Sequence, residues 1–192
     1  MKNFKFNLFS KLFMFSTLLG TIVVIIFNYK ESHFLTYCMA LPIVLIPFLL
    51  KKTVFCLNDI DTLIYNVFTF FAYFLGCVVS LYNVTWWYDL LMHFVSGFVM
   101  GYVAMFILRK LKMYDCKNNL FNFIYCLFFT IGAAGMWEIG EYVVDLIIGT
   151  NLQHNLDTGV VDTMQDLICG TISGFIFSLI YLLKINLKKS AK

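Results

Sequence analysis

Charge is what this sequence has least of. Asp, Glu, Lys and Arg make up 13% of its 192 residues, about half the share found in soluble domains. That scarcity excludes a chain solvated on every side. With 61% hydrophobic residues, a protein this short also cannot hide its apolar surface inside itself. Proline is limited to two residues and glycine to 11, which excludes collagen-like and low-complexity chains. The six cysteines (Cys38, Cys56, Cys77, Cys116, Cys126, Cys169) show no CxxC pair and no regular spacing. They point neither to a disulfide framework nor to a thiolate metal site. No basic tract accompanies the net charge of +3, so no nucleic-acid partner is expected.

What is present is long apolar runs. A helix needs about 20 largely apolar residues to cross a bilayer. Six stretches qualify: 11–29, 33–50, 63–83, 88–108, 120–149 and 162–183. The expected fold is an all-α polytopic helical bundle of six transmembrane helices, forming a single membrane domain over 1–192. Pro42 and Pro47 fall in the second stretch as tolerated kinks. The first stretch follows lysines, as a signal peptide would, but no small-residue cleavage pattern follows, so it reads as a retained helix.

Basic residues set the orientation. Lys2, Lys5, Lys11, Lys51, Lys52, Arg109, Lys110, Lys112, Lys117, Lys184, Lys188, Lys189 and Lys192 share one side of a six-span topology, leaving only Lys30 opposite among the 14 basic residues. Both termini are therefore expected in the cytoplasm, with the chain in the cell membrane. Trp86, Trp87 and Tyr88 then start the fourth span at the outer headgroup layer, as interfacial anchors. Lys30 and His33 read as ordinary outer-loop residues.

The acids are distributed in the opposite sense. Of 11 carboxylates, Asp89, Glu138, Glu141, Asp145, Asp157, Asp162 and Asp166 fall in the last three spans or their outer connections. Asp89, His93, Gly97 and Gly101 recur every four residues, and so do Asp162, Asp166, Gly170 and Gly174, giving each helix one stripe. Small residues let membrane helices approach closely, which would aim the polar groups above them at one another. Glu138, Glu141 and Asp145 share a face of the fifth span, with Gly132 and Gly135 before them.

A charge inside a membrane helix costs about 2.5–3.5 kcal/mol on insertion scales. No lysine or arginine stands nearby to offset these acids. Three arrangements make them tolerable: a bound divalent cation, shared protons, or a place on an open aqueous surface. Carboxylates with one imidazole suit Zn²⁺, Mn²⁺ or Mg²⁺. Asp89, His93, Glu138 and Asp166 are the expected metal ligands. Glu141 and Asp162 are the expected catalytic bases or supporting partners, with Asp145 and Gln153 as further polar candidates. His154 and Asp157 read as solvated loop residues.

The segments YDLLMHFVSG (88–97), WEIGEYVVD (137–145), GTNLQ (149–153) and DTMQDLICG (162–170) resemble the YjdF-type inner-membrane proteins. More remotely, they look like the VanZ-like family associated with glycopeptide resistance. The common order is Asp-x3-His, then Glu-x2-Glu or Glu-x2-Gln, then Asp-x3-Asp or Asp-x3-Asn. VanZ-like chains commonly carry lysine after the first aspartate, where Leu90 stands here. The resemblance implies membrane residence and a polar core, with no settled reaction.

The leading expectation is a metal-dependent hydrolase or transferase acting on a lipid or lipid-linked envelope intermediate at the outer leaflet. A cation- or proton-coupled transporter is the alternative. The inner halves of the fourth and sixth spans look glycine-rich and apolar apart from Ser173, which disfavours through-passage. A third class is a non-catalytic membrane receptor or resistance protein binding a cationic molecule.

Overall fold

A computed structural model describes residues 2–27, 42–115, 117–153 and 158–190, with side chains described between Leu8 and Leu183. Among them the chain is all helix, with no strand. Helix α1 spans Lys2–Phe27. Helix α2 spans Asp59–Thr69 and continues as a π-helix over Phe70–Val78. Helices α3 (Tyr88–Lys110), α4 (Asn119–Ile148) and α5 (Val161–Ser190) complete the long elements.

Among the described residues, five segments are long and apolar enough to cross a membrane: Leu8–Phe27, Asp59–Val78, Tyr88–Lys110, Asn119–Ile148 and Val161–Leu183. At 1.5 Å per residue, the 30 residues of α4 reach about 45 Å, longer than a hydrocarbon core of about 30 Å. Of the expected second span, residues 33–41 lie outside the described residues. Its remainder contains the short helix Ile46–Leu49, with Pro47 in the first turn, where a missing N–H is harmless. Lys30, His33, Cys38, Cys116, His154, Asp157 and Lys192 also lie outside the described residues.

The chain packs as two compact units, Met1–Tyr88 with Leu146–Thr150, and Asp89–Asp145 with Asn151–Lys192. In the first, α2 opens on a capping box. The Asn58 side chain accepts from the Ile60 and Asp61 amides at 2.9 and 3.0 Å, and Asp61 accepts from the Asn58 amide at 3.1 Å. Buried Asn66 ties α2 to α1 by donating to the Ser10 hydroxyl at 2.8 Å, and Phe74 packs where a side chain at Gly20 would sit. The third expected span, 63–83, starts and stops earlier. Its π-helical turns end at Val79, whose amide donates to Phe74 O at 2.9 Å, and Ser80 then takes a left-handed φ of 64°. Tyr88, expected to be an interfacial anchor, is packed within the protein. It is buried, stacks edge-on to Tyr82 at 5.3 Å and donates to Phe71 O at 2.8 Å, whereas Trp86 and Trp87 are exposed.

The second unit is built on the four-residue stripes. At Gly97 of α3 a Cβ would lie 2.4 Å from Gly170 O and 3.0 Å from Gly174 N of α5, so these two backbones touch. Gly174 packs against Thr130 of α4, Gly170 faces Ala134, and Gly101 faces Phe177. The Cys126 thiol donates to Gly101 O at 3.5 Å. Below lies a small apolar core of Ala104, Met105, Leu108 and Cys126, flanked by Tyr125, Phe129 and Phe177. The outward faces carry exposed Leu120, Phe128, Met136 and Ile172, as a lipid-facing surface requires. Gly132 and Gly135 of α4 take no part in these contacts: among the described residues neither has an atom within 4 Å of a would-be Cβ.

Candidate functional site

Within the second unit, the N-terminal ends of α3 and α5 meet the C-terminal third of α4. Asp89 lies in the first turn of α3 and Asp162 in the first turn of α5. Helix N-termini favour carboxylates by about 0.3–1 kcal/mol each. The C-terminal end of α4 has the opposite polarity and favours a cation. One turn deeper, the packed glycines bring three acids around one imidazole. His93 Nε2 stands 3.6 Å from Asp89 Oδ1, 3.8 Å from Asp166 Oδ2 and 3.9 Å from Glu138 Oε1.

These separations have a specific size. They exceed the reach of a direct hydrogen bond, about 2.7–3.2 Å for nitrogen and oxygen. Ligand bonds of about 2.0–2.2 Å at tetrahedral angles put donor atoms about 3.4 Å apart. Asp89, His93 and Asp166 each offer an atom such that all lie within 4.8 Å of one another. Glu138 approaches His93 alone from the α4 side and falls outside that triad. His93, Glu138 and Asp166 are 8, 4 and 2% exposed, while Asp89 is half-buried. Glu138 Oε1 has no hydrogen-bond partner although it is buried. Such an atom carries a desolvation penalty of about 1–3 kcal/mol, more if charged.

The loop after α4 folds back over the site. Asp145 accepts from the Leu152 and Gln153 amides at 2.7 and 3.1 Å. This holds Gln153 so that its amide donates to Glu138 O at 3.0 Å and to Glu138 Oε2 at 3.4 Å. Asp145 therefore shapes the loop, and Gln153 touches the cluster directly. Glu141 is half-buried and accepts from Trp137 Nε1 at 2.8 Å on its own helix. Thr163, which follows Asp162, shares a cavity lining with Glu138 and Gln153. Sequence reasoning passed over Thr163 and Trp137. Their signals are adjacency to Asp162 and the i,i+4 spacing to Glu141.

Beneath the cluster, Ser178 joins Ser173 as a buried polar residue of the last span, and Asn122 and Thr130 of α4 are buried as well. Each bonds locally: Thr130 donates to Cys126 O, Ser173 to Gly170 O, Ser178 to Gly174 O and Asn122 to Asp115 O. A hydroxyl bonded to its own helix is invisible to hydropathy.

The family described as "Predicted membrane protein (DUF2238)" matches residues 10–186. The chain belongs to this family. DUF2238 includes the YjdF-type proteins that the motifs resemble, and it makes the chain a multi-pass integral membrane protein. The family match gives no support to a VanZ-like link. No curated protein and no solved structure matches this DUF2238 chain.

Proposed function

We propose that this DUF2238 protein binds a divalent cation (Zn²⁺, Mn²⁺ or Mg²⁺) with Asp89, His93, Asp166 and Glu138. In this reading it uses the ion as a hydrolase or transferase on a lipid or lipid-linked envelope intermediate. The reading places six spans in the cell membrane, both termini in the cytoplasm and the cluster in the outer leaflet, on the distribution of lysine and arginine.

The observation that carries the reading is Glu138 Oε1, buried without a hydrogen bond and turned toward an imidazole that two further carboxylates also face. No Lys or Arg occurs between residues 53 and 108 or between 118 and 183, so the three helices hold no basic side chain at that depth. A cation would satisfy the orphaned oxygen and offset the gathered negative charge together. When bound, such an ion polarises a phosphoryl or acyl oxygen or acidifies a water. Glu141 and Asp162, just above the cluster, are the groups to accept a proton, and Gln153 steadies Glu138.

Elemental analysis of the detergent-purified protein tests this reading. Near-stoichiometric metal is expected in the wild type, with loss of about tenfold or more in affinity for Glu138→Gln and His93→Ala. A metal-free wild type, or unchanged metal content in both variants, overturns it.

Transport is the second reading, favoured by the buried polar residues Thr130, Ser173 and Ser178 beneath the cluster. Their hydroxyls donate to their own helices, so each would have to turn to hand on a proton. Cation- or proton-driven flux in reconstituted vesicles, abolished by Asp166→Asn, would put transport first.

A further inference from the structure

Gly132, Gly135 and Gly140 of α4 are unexplained by packing, and of these three Gly135 lines a cavity. Gly135 lies mid-helix, where glycine is about 0.5–1 kcal/mol worse than alanine. Unlike Gly97, Gly101 and Gly174, it meets nothing within 4 Å. It lines a cavity of about 470 Å³ between α4 and the first turns of α5. That volume lies in the range of small-molecule pockets, about 300–1,000 Å³. The walls are Gly135, Ile139, Tyr142 and Leu167, and the polar lining groups are Glu138, Gln153 and Thr163.

We infer that this cleft holds the apolar chain of an amphiphilic lipid whose polar head meets Glu138 and Gln153. The inference deepens the reading proposed above and rests on it for the chemistry of the head alone. Three features support a lipid over a water-soluble ligand. The cleft lies along a spanning segment of α4, within Asn119–Ile148. Its rim residues Ile139, Tyr142 and Val160 are exposed, so a chain can enter sideways from the bilayer. Its polar groups come from Glu138 on α4, the loop residue Gln153 and Thr163 on α5, an apolar slot with a polar side as an amphiphile requires. On that polar side the Gln153 amide lies 3.4 Å from Glu138 Oε2.

Gly135 also supplies the test, because a side chain there enters the cleft without striking the helix packing. The protein is reconstituted in phosphatidylglycerol vesicles containing phosphatidylglycerol with a diazirine on its acyl chain. It is then irradiated, and the labelled residues are mapped. Wild type is expected to concentrate label on Ile139, Tyr142 and Leu167. Gly135→Phe should lower that labelling about tenfold, the effect of 1.4 kcal/mol in affinity. Gly140→Phe, which also meets open space and lies outside the cleft, should leave it unchanged. Leu167→Trp narrows the cleft from the opposite wall and should reproduce the loss if Gly135→Phe does not fold. Label spread evenly over lipid-facing residues such as Phe128 and Met136, or insensitive to both blocking variants, overturns the inference. Metal content is measured on the same samples. Cleft labelling in a metal-free protein keeps the lipid site and removes the cation reading, whereas bound metal without cleft labelling does the reverse.

Discussion

Replacing Gly97 by alanine adds one methyl group at the point where α3 and α5 touch. Its Cβ would lie 1.9 Å from Ser173 Oγ, 2.4 Å from Gly170 O and 3.0 Å from Gly174 N. Ser173 can rotate away. The carbonyl of Gly170 and the amide of Gly174 belong to the helix and cannot. Contact becomes ordinary at 3.4 Å, so the helices must part by roughly an ångström at this level, a strain of about 1–3 kcal/mol. For a chain of this size, 2 kcal/mol corresponds to a Tm lowered by on the order of 4–8 °C. His93 and Asp166 sit one turn above Gly97 and Gly170, so their 3.8 Å separation widens as well, and metal retention should fall with stability. The control is Gly132→Ala, which meets open space and should be neutral or stabilising by up to about 1 kcal/mol through helix propensity. The assay is thermal unfolding in detergent, with metal content measured alongside. Equal Tm values for Gly97→Ala and Gly132→Ala would refute the close approach of α3 and α5.

Two further outcomes are expected. Asp145→Asn removes the charge from hydrogen bonds to the Leu152 and Gln153 amides, each worth about 1.5–3 kcal/mol to a charged acceptor. Limited proteolysis of reconstituted protein should then cut faster near residues 149–153, and an unchanged cleavage rate would show that Asp145 does not hold the loop. Because imidazole and carboxylate must shed their protons to ligate, metal bound at neutral pH should be released as the pH is lowered. Dialysis across a pH series followed by elemental analysis measures this, and pH-independent retention would count against these ligands.

The long spans were legible because a bilayer-crossing helix writes itself as an unbroken apolar run. Register was legible too. Asp89, His93, Gly97 and Gly101 share a face by spacing alone, and the structure puts that face against the matching stripe of α5. Spacing says which residues share a face, but not whether a partner covers it. Hence the sequence could not tell that Gly132 and Gly135 meet no neighbour while Gly97 and Gly174 do. The end of the third expected span was missed because a π-helix adds residues per turn at Phe70–Val78 without changing composition. Composition marked Tyr88 as an amphipathic ring but could not give the partner of its hydroxyl, which is Phe71 O. Gln153 carried no periodic signal, since its reach to Glu138 depends on a loop bent back by Asp145.

The glycine contacts divide the labour among the three site helices unevenly. Where α3 and α5 meet at Gly97, backbone atoms of Gly170 and Gly174 lie beside the Ser173 hydroxyl, and close-packed interiors transmit strain instead of absorbing it. Helix α4 is held at Thr130 against Gly174 and at Ala134 against Gly170, and beyond that level Gly135 and Gly140 meet nothing. Above Ala134, α4 reaches the cluster through Glu138, which faces His93 and is held by Gln153. A change in that part of α4 would therefore reach the cluster through Glu138, whereas the spacing of Asp89, His93 and Asp166 is set by the contact of α3 with α5.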